Sequence, residues 1–326
     1  MPNIATHALM AHDVLQDIDL EYLSPLISQY PQVYAMGSSG PDFLFYYHVL
    51  PWQDNANKDE VFSLGNRIHN SNVNAFYQSA IKVINEERDD VLRQIMTVFL
   101  AGHLMHWSLD SLGHPYVYYF TGEIANETQY WHFRFESMID TMMVKQVKQL
   151  KLDDLKHYQF VESNALTRKA VAKLYHWVAI EVFDMDVSED VLAECLLSAA
   201  QIAKVLYDPY TLKFPVAYGI EKLAKQAWRY SAHMVTGEID LKHDVLNLKH
   251  EPWLHPCDAN IVSTDSFLDI YAKSIERGRA CLYAFEAILT KNQVPLTLNA
   301  ILMDRTYDTG MADPLPMINF KPVYTK

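Results

Sequence analysis

Apolar residues recur three and four positions apart along most long segments, and strict alternation of apolar and polar residues is hard to find. The first pattern is typical of amphipathic helices, and the second would indicate half-buried strands. Glycine is scarce, at 10 residues. We therefore predict an all-α fold with at most short extended pieces. The predicted helices cover residues 58–86, 90–112, 126–150, 167–183, 188–207, 220–236 and 266–289.

The stretches between these helices have the composition of loops. Residues 30–57 hold several proline, glycine and aromatic residues, and residues 242–265 and the tail after Met303 have a similar character. Long ordered loops in compact domains are often functional. Ser188, which precedes two acidic residues and an apolar run, predicts a helix start. Residues 162–167 form a weak break in the helical pattern, which we do not interpret as a domain boundary. The sequence contains no internal repeat.

We therefore predict a single all-α domain over residues 1–326. Its length and its 50% hydrophobic content allow a substantial core. Residues 1–150 would carry the functional site, and residues 151–326 would form a helical half without a recognised motif. The sequence does not indicate an oligomeric state.

The charge and the cysteines exclude several classes of protein. A net charge of -13 disfavours a broad grip on nucleic acid, which depends on lysine and arginine neutralising phosphates. Cys195, Cys257 and Cys281 form no CxxC pair, so we expect core residues in a reducing compartment, without a disulfide framework or a thiolate zinc site. The N-terminus shows no secretory signal, which leads us to expect a cytoplasmic protein. Charged and polar residues interrupt the longest apolar stretch, residues 91–107, so we predict a buried helix and no membrane span.

Histidines concentrate in the N-terminal part of the chain, where eight of the 14 precede residue 133. His106, Asp110 and His114 lie four apart in a helical stretch, so they share one helix face. His132 and Glu136 repeat this spacing on the next predicted helix. Imidazole nitrogens and carboxylate oxygens are suitable zinc ligands, and residues four apart on a helix can reach one ion.

A single histidine–acid pair at this spacing is more often an ordinary helix salt bridge. Here two such pairs adjoin, and their surroundings are apolar and aromatic. Burying these groups without a metal or another partner would be costly. The two pairs together therefore favour a metal site.

Three upstream pieces accompany these pairs: Thr6-His7-Ala8-Leu9, the Gly-Ser-Ser-Gly-Pro-Asp stretch that ends at Asp42, and Ile68-His69-Asn70. In this order, over about residues 6–140, the chain resembles the zinc-dependent phospholipase C family. That family includes secreted bacterial phosphatidylcholine-hydrolysing enzymes and clostridial alpha-toxins. The resemblance implies a multi-helix bundle, shared with a fungal and plant nuclease family, with three zinc ions clustered in a cleft.

The resemblance also implies which residues bind zinc. Asp110 would bridge two ions, and His114 follows it by four positions where the secreted enzymes use six. Asp42 would bind zinc and also act catalytically, by accepting the proton of the attacking water. The implied metal ligands are His7, Asp42, His69, His106, Asp110, His114, His132 and Glu136.

The N-terminus departs from the secreted members of that family. Those enzymes are cleaved so that a new terminal tryptophan gives its amine and carbonyl to one zinc ion, whereas this sequence begins with Met1. The ion held by His7 and Asp110 would therefore lack two donors. We expect two tightly bound zinc ions, with a third possible at this weaker position.

Several neighbouring residues are interpreted as lying outside the ligand set. His103 is turned about 60° from His106 around the helix, so we place it in the core or behind the ligands. His12 and His48 are interpreted as ordinary polar residues. Two interpretations of Asp140 remain: it orients a metal ligand through a hydrogen bond, or it occupies a solvated helix position. Two interpretations also remain for the aromatic residues at 43 and 45–47, which could line a substrate pocket or pack in the core.

The leading functional hypothesis is a zinc-dependent phosphoester hydrolase of the phospholipase C type, because clustered zinc ions activate water and neutralise phosphoryl charge. Its substrate would be a soluble phosphoester or a phospholipid. One alternative is a single-strand nuclease or nucleotidase, which the acidic charge disfavours. The other is a helical protein with structural zinc, for which the coordination would be closed and tetrahedral.

Overall fold

The computed structural model describes residues 4–50, 52–54, 56–124, 127–225, 230–237, 239–291 and 295–323, and helices make up most of them. The predicted all-α fold is confirmed. The α-helices are α1 (Ile4–Val14), α2 (Leu23–Gln29), α3 (Pro31–Gly37), α4 (Lys58–Asn70), α5 (Val73–Glu86), α6 (Asp90–Thr121), α7 (Glu127–Met142), α8 (Ala165–Phe183), α9 (Glu189–Leu206), α10 (Phe214–Ala224), α11 (Phe267–Lys291) and α12 (Leu296–Leu302).

Short helical turns and one hairpin complete the described structure. The 3₁₀-helices span Gly40–Tyr46, His157–Val161 and Tyr230–His233, and a π-helical turn, Met143–Val147, follows α7. The hairpin pairs two antiparallel strands, β1 (Trp253–His255) and β2 (Asp258–Ser263), with an irregular register after Leu254. It lies within the predicted loop 242–265 and is compatible with an all-α fold that contains short extended pieces.

Helix α6 lies at the centre of the fold and packs against α1, α3, α8 and α11. It begins at an N-cap aspartate, Asp89, whose side chain accepts hydrogen bonds from the backbone N–H groups of Val91 and Leu92. Nearly every residue from 95 to 119 is buried. A helix that is covered on all sides is expected at the centre of a core, so α6 can hold polar groups in a dry environment.

Paired glycines bring α3 into backbone contact with α6. A Cβ atom on Gly37 would lie 2.3 Å from the Phe99 carbonyl oxygen, and one on Gly102 would lie 2.2 Å from the Tyr34 carbonyl oxygen. No side chain larger than hydrogen fits at either position without movement. This close approach places the following 3₁₀-helix, Gly40–Tyr46, directly beside α6.

Three sequence-based boundaries are wrong. Residues 30–57 are not one long loop, because Pro31 begins α3 at a helix N-terminus, where its fixed φ is favourable. Residues 58–86 form two helices, since Asn72 adopts a left-handed φ of 56° between α4 and α5. Helix α6 continues past the predicted end at residue 112, through Pro115.

The predicted helix over residues 220–236 is also wrong. Helix α10 begins earlier, at Phe214, and ends before Lys225, which has a φ of 50°. Residues 226–229 lie outside the described residues, and a 3₁₀-helix follows at Tyr230–His233.

The predicted helices over residues 167–183, 188–207 and 266–289 are confirmed within a few residues as α8, α9 and α11. The helix predicted over residues 126–150 is α7, which ends at Met142 and is followed by the π-helical turn to Val147; residue 126 is outside the described part of the chain. Ser188 is the N-cap of α9, where its side chain accepts a hydrogen bond from the Val191 N–H. All three cysteines are buried, as expected. Among the described helices, each is too short or too polar to cross a bilayer. The single-domain organisation stays a prediction.

Candidate metal centre

The structure brings the eight sequence-predicted residues together in three adjacent buried groups. Within each group the potential ligand atoms lie within 4.8 Å of one another. The first two groups share His106. The groups are His7, His106 and Asp110; Asp42, His69 and His106; and His114, His132 and Glu136.

Helices α6 and α7 supply five of these residues by simple helical spacing. The Asp110 carboxylate lies between its two neighbours on α6, with Oδ2 2.9 Å from His106 Nε2 and 3.9 Å from His114 Nδ1. On α7, His132 Nε2 lies 3.0 Å from Glu136 Oε1. His114 Nε2 lies 3.8 Å from the same oxygen, so the two helices together form the third group.

The second group depends on the loop that follows α3. Asp42 Oδ1 lies 3.2 Å from His69 Nε2, at the end of α4, and 3.7 Å from His106 Nε2. The loop approaches α6 closely at Gly40, which has a φ of 49° and where a Cβ atom would lie 2.2 Å from His106 Cδ2. Glycine is therefore required here by both backbone conformation and space.

The first group depends on a buried carboxylate outside the predicted ligand set. Asp140 on α7 accepts hydrogen bonds from the Ala5 N–H and from the N–H and hydroxyl of Thr6. These bonds fix the start of α1, where His7 Nε2 lies 3.1 Å from Asp110 Oδ1. Asp140 is fully buried, so it occupies no solvated position and instead anchors the helix that carries His7.

Four of the five histidines turn Nε2 towards the groups and use Nδ1 to bond elsewhere. A nitrogen that faces a carbonyl oxygen must carry the proton, which leaves the other nitrogen with a lone pair for a metal. Metal-binding histidines usually show this arrangement. The Nδ1 partners are the carbonyl oxygen of Gly65 for His69, of Ser38 for His106 and of Tyr307 for His114, and the hydroxyl of Thr121 for His132.

Buried polar atoms at the centre of the groups have no hydrogen-bond partner within the described part of the chain. These atoms are both carboxylate oxygens of Asp110, both ring nitrogens of His7, and His106 Nε2. The nearby nitrogens and oxygens are within contact distance, but they are not in hydrogen-bond geometry. Leaving a carboxylate in this state is costly unless a cation compensates it. The nitrogen and oxygen donors therefore fit zinc.

Burial also prepares most of the imidazoles for metal binding. It lowers the pKa of His7, His114 and His132, which favours the neutral form that binds metals. Burial alone would raise the pKa of Asp110, but the surrounding histidines hold that pKa well below its usual range. His69 differs: burial lowers its pKa, but the hydrogen bond to Asp42 and the charges of Asp42 and Asp308 together outweigh burial and raise its pKa to about 9.

A family model for zinc-dependent phospholipase C matches residues 6–182, more than half of the chain. The chain belongs to the zinc-dependent phospholipase C family. The match extends beyond the region of resemblance, residues 6–140, into α8, and all eight predicted residues lie inside it. No curated protein and no solved structure matches the chain significantly. Family membership and the three groups support a zinc phosphoesterase.

This member of the zinc-dependent phospholipase C family has site residues that spacing did not indicate. Tyr307 and Asp308 lie in the C-terminal tail, outside the matched region, yet Asp308 Oδ1 is 3.5 Å from His114 Nδ1. The Tyr307 ring centroid lies 5.2 Å from that of His69 and 5.7 Å from that of His106. The aromatic composition of the tail was the only sequence signal, and it gave no position.

The other candidate polar residues lie outside the three groups. His103 is buried, bonds to the Tyr77 hydroxyl through Nδ1 and stacks on Phe76. His48 bonds to Asp54 and Glu194. These positions agree with the interpretation of both histidines as non-ligands.

A small cavity of about 20 Å³ adjoins Asp42, and Gly40, Phe43 and Tyr46 also line it. Phe43 and Tyr46, for which both pocket and packing roles are considered above, therefore border this cavity. Phe43 also packs edge-on against Tyr175. The volume is enough for about one water molecule. A larger open groove along α4 contains none of the eight residues.

Proposed function

We propose that this protein is a zinc-dependent phosphoester hydrolase of the phospholipase C type, and that the eight grouped residues are its metal ligands. The observation that carries the proposal is the arrangement of three adjoining buried donor groups, into which His69, His106 and His132 direct Nε2. His106 Nε2 lies 2.9 Å from Asp110 Oδ2 and 3.7 Å from Asp42 Oδ1, so the first two groups adjoin, as ligand groups do in multinuclear hydrolases. Its single lone pair would bind one ion, and the Asp110 carboxylate would bridge two.

Zinc would supply a Lewis acid for phosphoryl oxygens and would lower the pKa of water towards about 7. The protein's part is to fix the donors and to keep them dry. His106 and Asp110 are fully buried on one face of α6, where close packing restricts the movement of both side chains.

We propose that the group containing His7 binds zinc most weakly. It holds three residues, as do the other two groups, but His7 Nδ1 has no hydrogen-bond partner among the described residues to hold the ring. The other proposed imidazole ligands have such a partner. Two tightly bound ions and a weaker third follow from this difference.

Asp42 is the proposed catalytic residue. Its Oδ1 faces His69 and His106, and its side chain lines the cavity that is large enough for one water molecule. A carboxylate placed in this way can accept a proton from a water that attacks phosphorus. No serine or cysteine nucleophile is required, because water is the attacking group.

The test combines metal analysis with a substrate panel. Purified protein is assayed for bound zinc, and its rate is measured on p-nitrophenyl phosphoesters, phosphorylcholine esters, phospholipid vesicles, nucleotides and single-stranded DNA. We expect chelator-sensitive hydrolysis of a phosphoester, restored by zinc and strongly reduced in Asp42→Asn. Zinc-loaded protein that is inactive on the whole panel would contradict the proposal, and cleavage of DNA alone would favour the nuclease alternative.

A further inference from the structure

The C-terminal turn, Arg305–Gly310, is held firmly against α6. Trp107 Nε1 donates a hydrogen bond of 2.8 Å to the Arg305 carbonyl oxygen. Within the turn, the Gly310 N–H donates to the Thr306 carbonyl oxygen. A Cβ atom on Gly310 would lie 2.1 Å from the Ser111 carbonyl oxygen, so the turn touches the α6 backbone directly.

The proline in α6 explains why the turn can approach at this point. Residue 115 of a regular helix would donate its N–H to the Ser111 carbonyl, but Pro115 has no N–H. The carbonyl oxygen is therefore released from the helical ladder on the side where Gly310 lies. The turn is thus seated one helical turn from His114, and its position is fixed by backbone geometry.

Tyr307 connects this turn to two of the proposed metal groups. Its N–H donates a 2.9 Å hydrogen bond to the carbonyl oxygen of His69. Its own carbonyl oxygen accepts a 3.0 Å hydrogen bond from His114 Nδ1. These two hydrogen bonds place the next residue, Asp308, at the edge of the site.

Asp308 places a carboxylate beside the nitrogen of His114 that does not face its metal group. Oδ1 lies 3.5 Å from His114 Nδ1, and the Asp308 side chain also hydrogen-bonds Asn70. The charge of Asp308 acts on His69 as well. The side chain is 18% exposed, whereas the eight grouped side chains are at most 8% exposed, so Asp308 lies at the outer margin of the site.

We propose that Asp308 is a positioning residue of the zinc centre. Together with the Tyr307 carbonyl, it keeps the proton of His114 on Nδ1, so that Nε2 faces His132 and Glu136. A carboxylate near the N–H of a metal-binding imidazole also makes the opposite nitrogen a stronger donor. This inference rests on the proposed metal ligands and extends the site beyond the region that the family model matches.

The test compares Asp308→Asn with a matched control, Asp304→Asn, which lies four residues earlier in the chain. Asp304 Oδ1 accepts a hydrogen bond from the Asn74 N–H, at the start of α5, and Asp304 contributes to none of the three groups. Zinc affinity is measured for each variant by competition with a chelator. Cadmium-113 NMR of cadmium-loaded protein then identifies the affected site by comparison with His132→Ala.

We expect Asp308→Asn to lower zinc affinity by about 10–100-fold at one site, with the full complement retained at saturating zinc. It should shift the cadmium resonance that His132→Ala removes, while Asp304→Asn behaves like wild type. Circular dichroism establishes that each variant is folded.

Equal affinities and spectra for Asp308→Asn and Asp304→Asn would overturn the inference and leave the proposed function intact. Loss of a whole zinc equivalent at saturating zinc would also overturn it, because Asp308 would then be a direct ligand. A wild-type protein that binds no zinc would overturn both proposals.

Discussion

Replacing Gly40 with alanine tests how the Asp42 loop is positioned. Gly40 has a φ of 49°, a conformation that costs an L-residue about 1–2 kcal/mol. The new Cβ would lie 2.2 Å from His106 Cδ2 and 2.4 Å from its Cγ, whereas carbon atoms prefer separations of about 3.5–4.0 Å. One of the two groups must therefore move by about 1 Å or more.

The imidazole of His106 is poorly able to move. Its Nδ1 bonds to the Ser38 carbonyl oxygen, its ring stacks on His7 with the centroids 4.4 Å apart, and its side chain is fully buried. The loop would move instead and would carry Asp42 away from His69. Adding about 1–3 kcal/mol for overpacking to the backbone strain gives a loss of about 2–5 kcal/mol in the free energy of unfolding.

The matched control is Gly219→Ala. Gly219 lies inside α10, and a Cβ atom there would meet nothing within 4 Å. Alanine is favoured over glycine in a helix by about 0.5–1 kcal/mol, so this variant should be slightly more stable than wild type.

The assay is urea unfolding of both variants, with and without zinc, together with zinc titration by chelator competition. We expect Gly40→Ala to be destabilised and to lose affinity at the site formed by Asp42, His69 and His106. A Gly40→Ala protein with wild-type stability and zinc affinity would refute the argument that this glycine sets the position of Asp42.

Two further predictions concern the anchor of α1 and the protonation of His69. Asp140→Ala removes the acceptor for three hydrogen-bond donors of Ala5 and Thr6. It should therefore lower the free energy of unfolding by at least about 2 kcal/mol and weaken zinc binding at the His7 group. An unchanged urea unfolding curve would contradict this prediction. The folded-state pKa of His69 is about 9, above its usual 6.5, so its contribution to the stability of metal-free protein is present below pH 6.5 and is lost as the pH rises through 9. Unfolding of chelator-treated protein at pH 6.5 and 9.5 should show this loss, and His69→Asn should reduce it. Zinc binding at pH 7.5 should also release a proton in wild type but not in His69→Asn, as measured calorimetrically in buffers of different ionisation enthalpy.

Local spacing was sufficient to predict the central part of the candidate site. His106, Asp110 and His114 share a face because helical geometry places residues four apart above one another. The same rule applies to His132 and Glu136, and the structure places both faces together. These arrangements need only the correct secondary structure.

Features that depend on tertiary contacts could not be predicted in this way. The proline and glycine content of residues 30–57 indicated a loop, but α3 forms there and packs on α6 through Gly37 and Gly102. That glycine pairing joins positions 65 residues apart, and local composition does not contain it. Tyr307 and Asp308 reach His114 across an even longer separation, because a C-terminal turn fits beside Pro115.

The role of Asp140 shows a similar limit. Its spacing from Glu136 was compatible with either a buried or a solvated position. Only the packing of α1 against α7 brings the N–H groups of Ala5 and Thr6 to its carboxylate. The sequence alone therefore left the residue's role open.

The measurement that tests the central claim most directly compares wild type with Asp110→Asn for bound zinc, melting temperature and phosphoesterase rate. The Asp110 carboxylate is buried beside the imidazoles of His7, His106 and His114, which between them belong to all three groups. The account predicts that Asp110→Asn binds zinc more weakly and hydrolyses the phosphoester at least about 10-fold more slowly. A wild-type protein with its zinc complement confirmed but no activity on any phosphoester, together with a mutant that loses zinc and melts much earlier, would contradict it and identify a structural metal site.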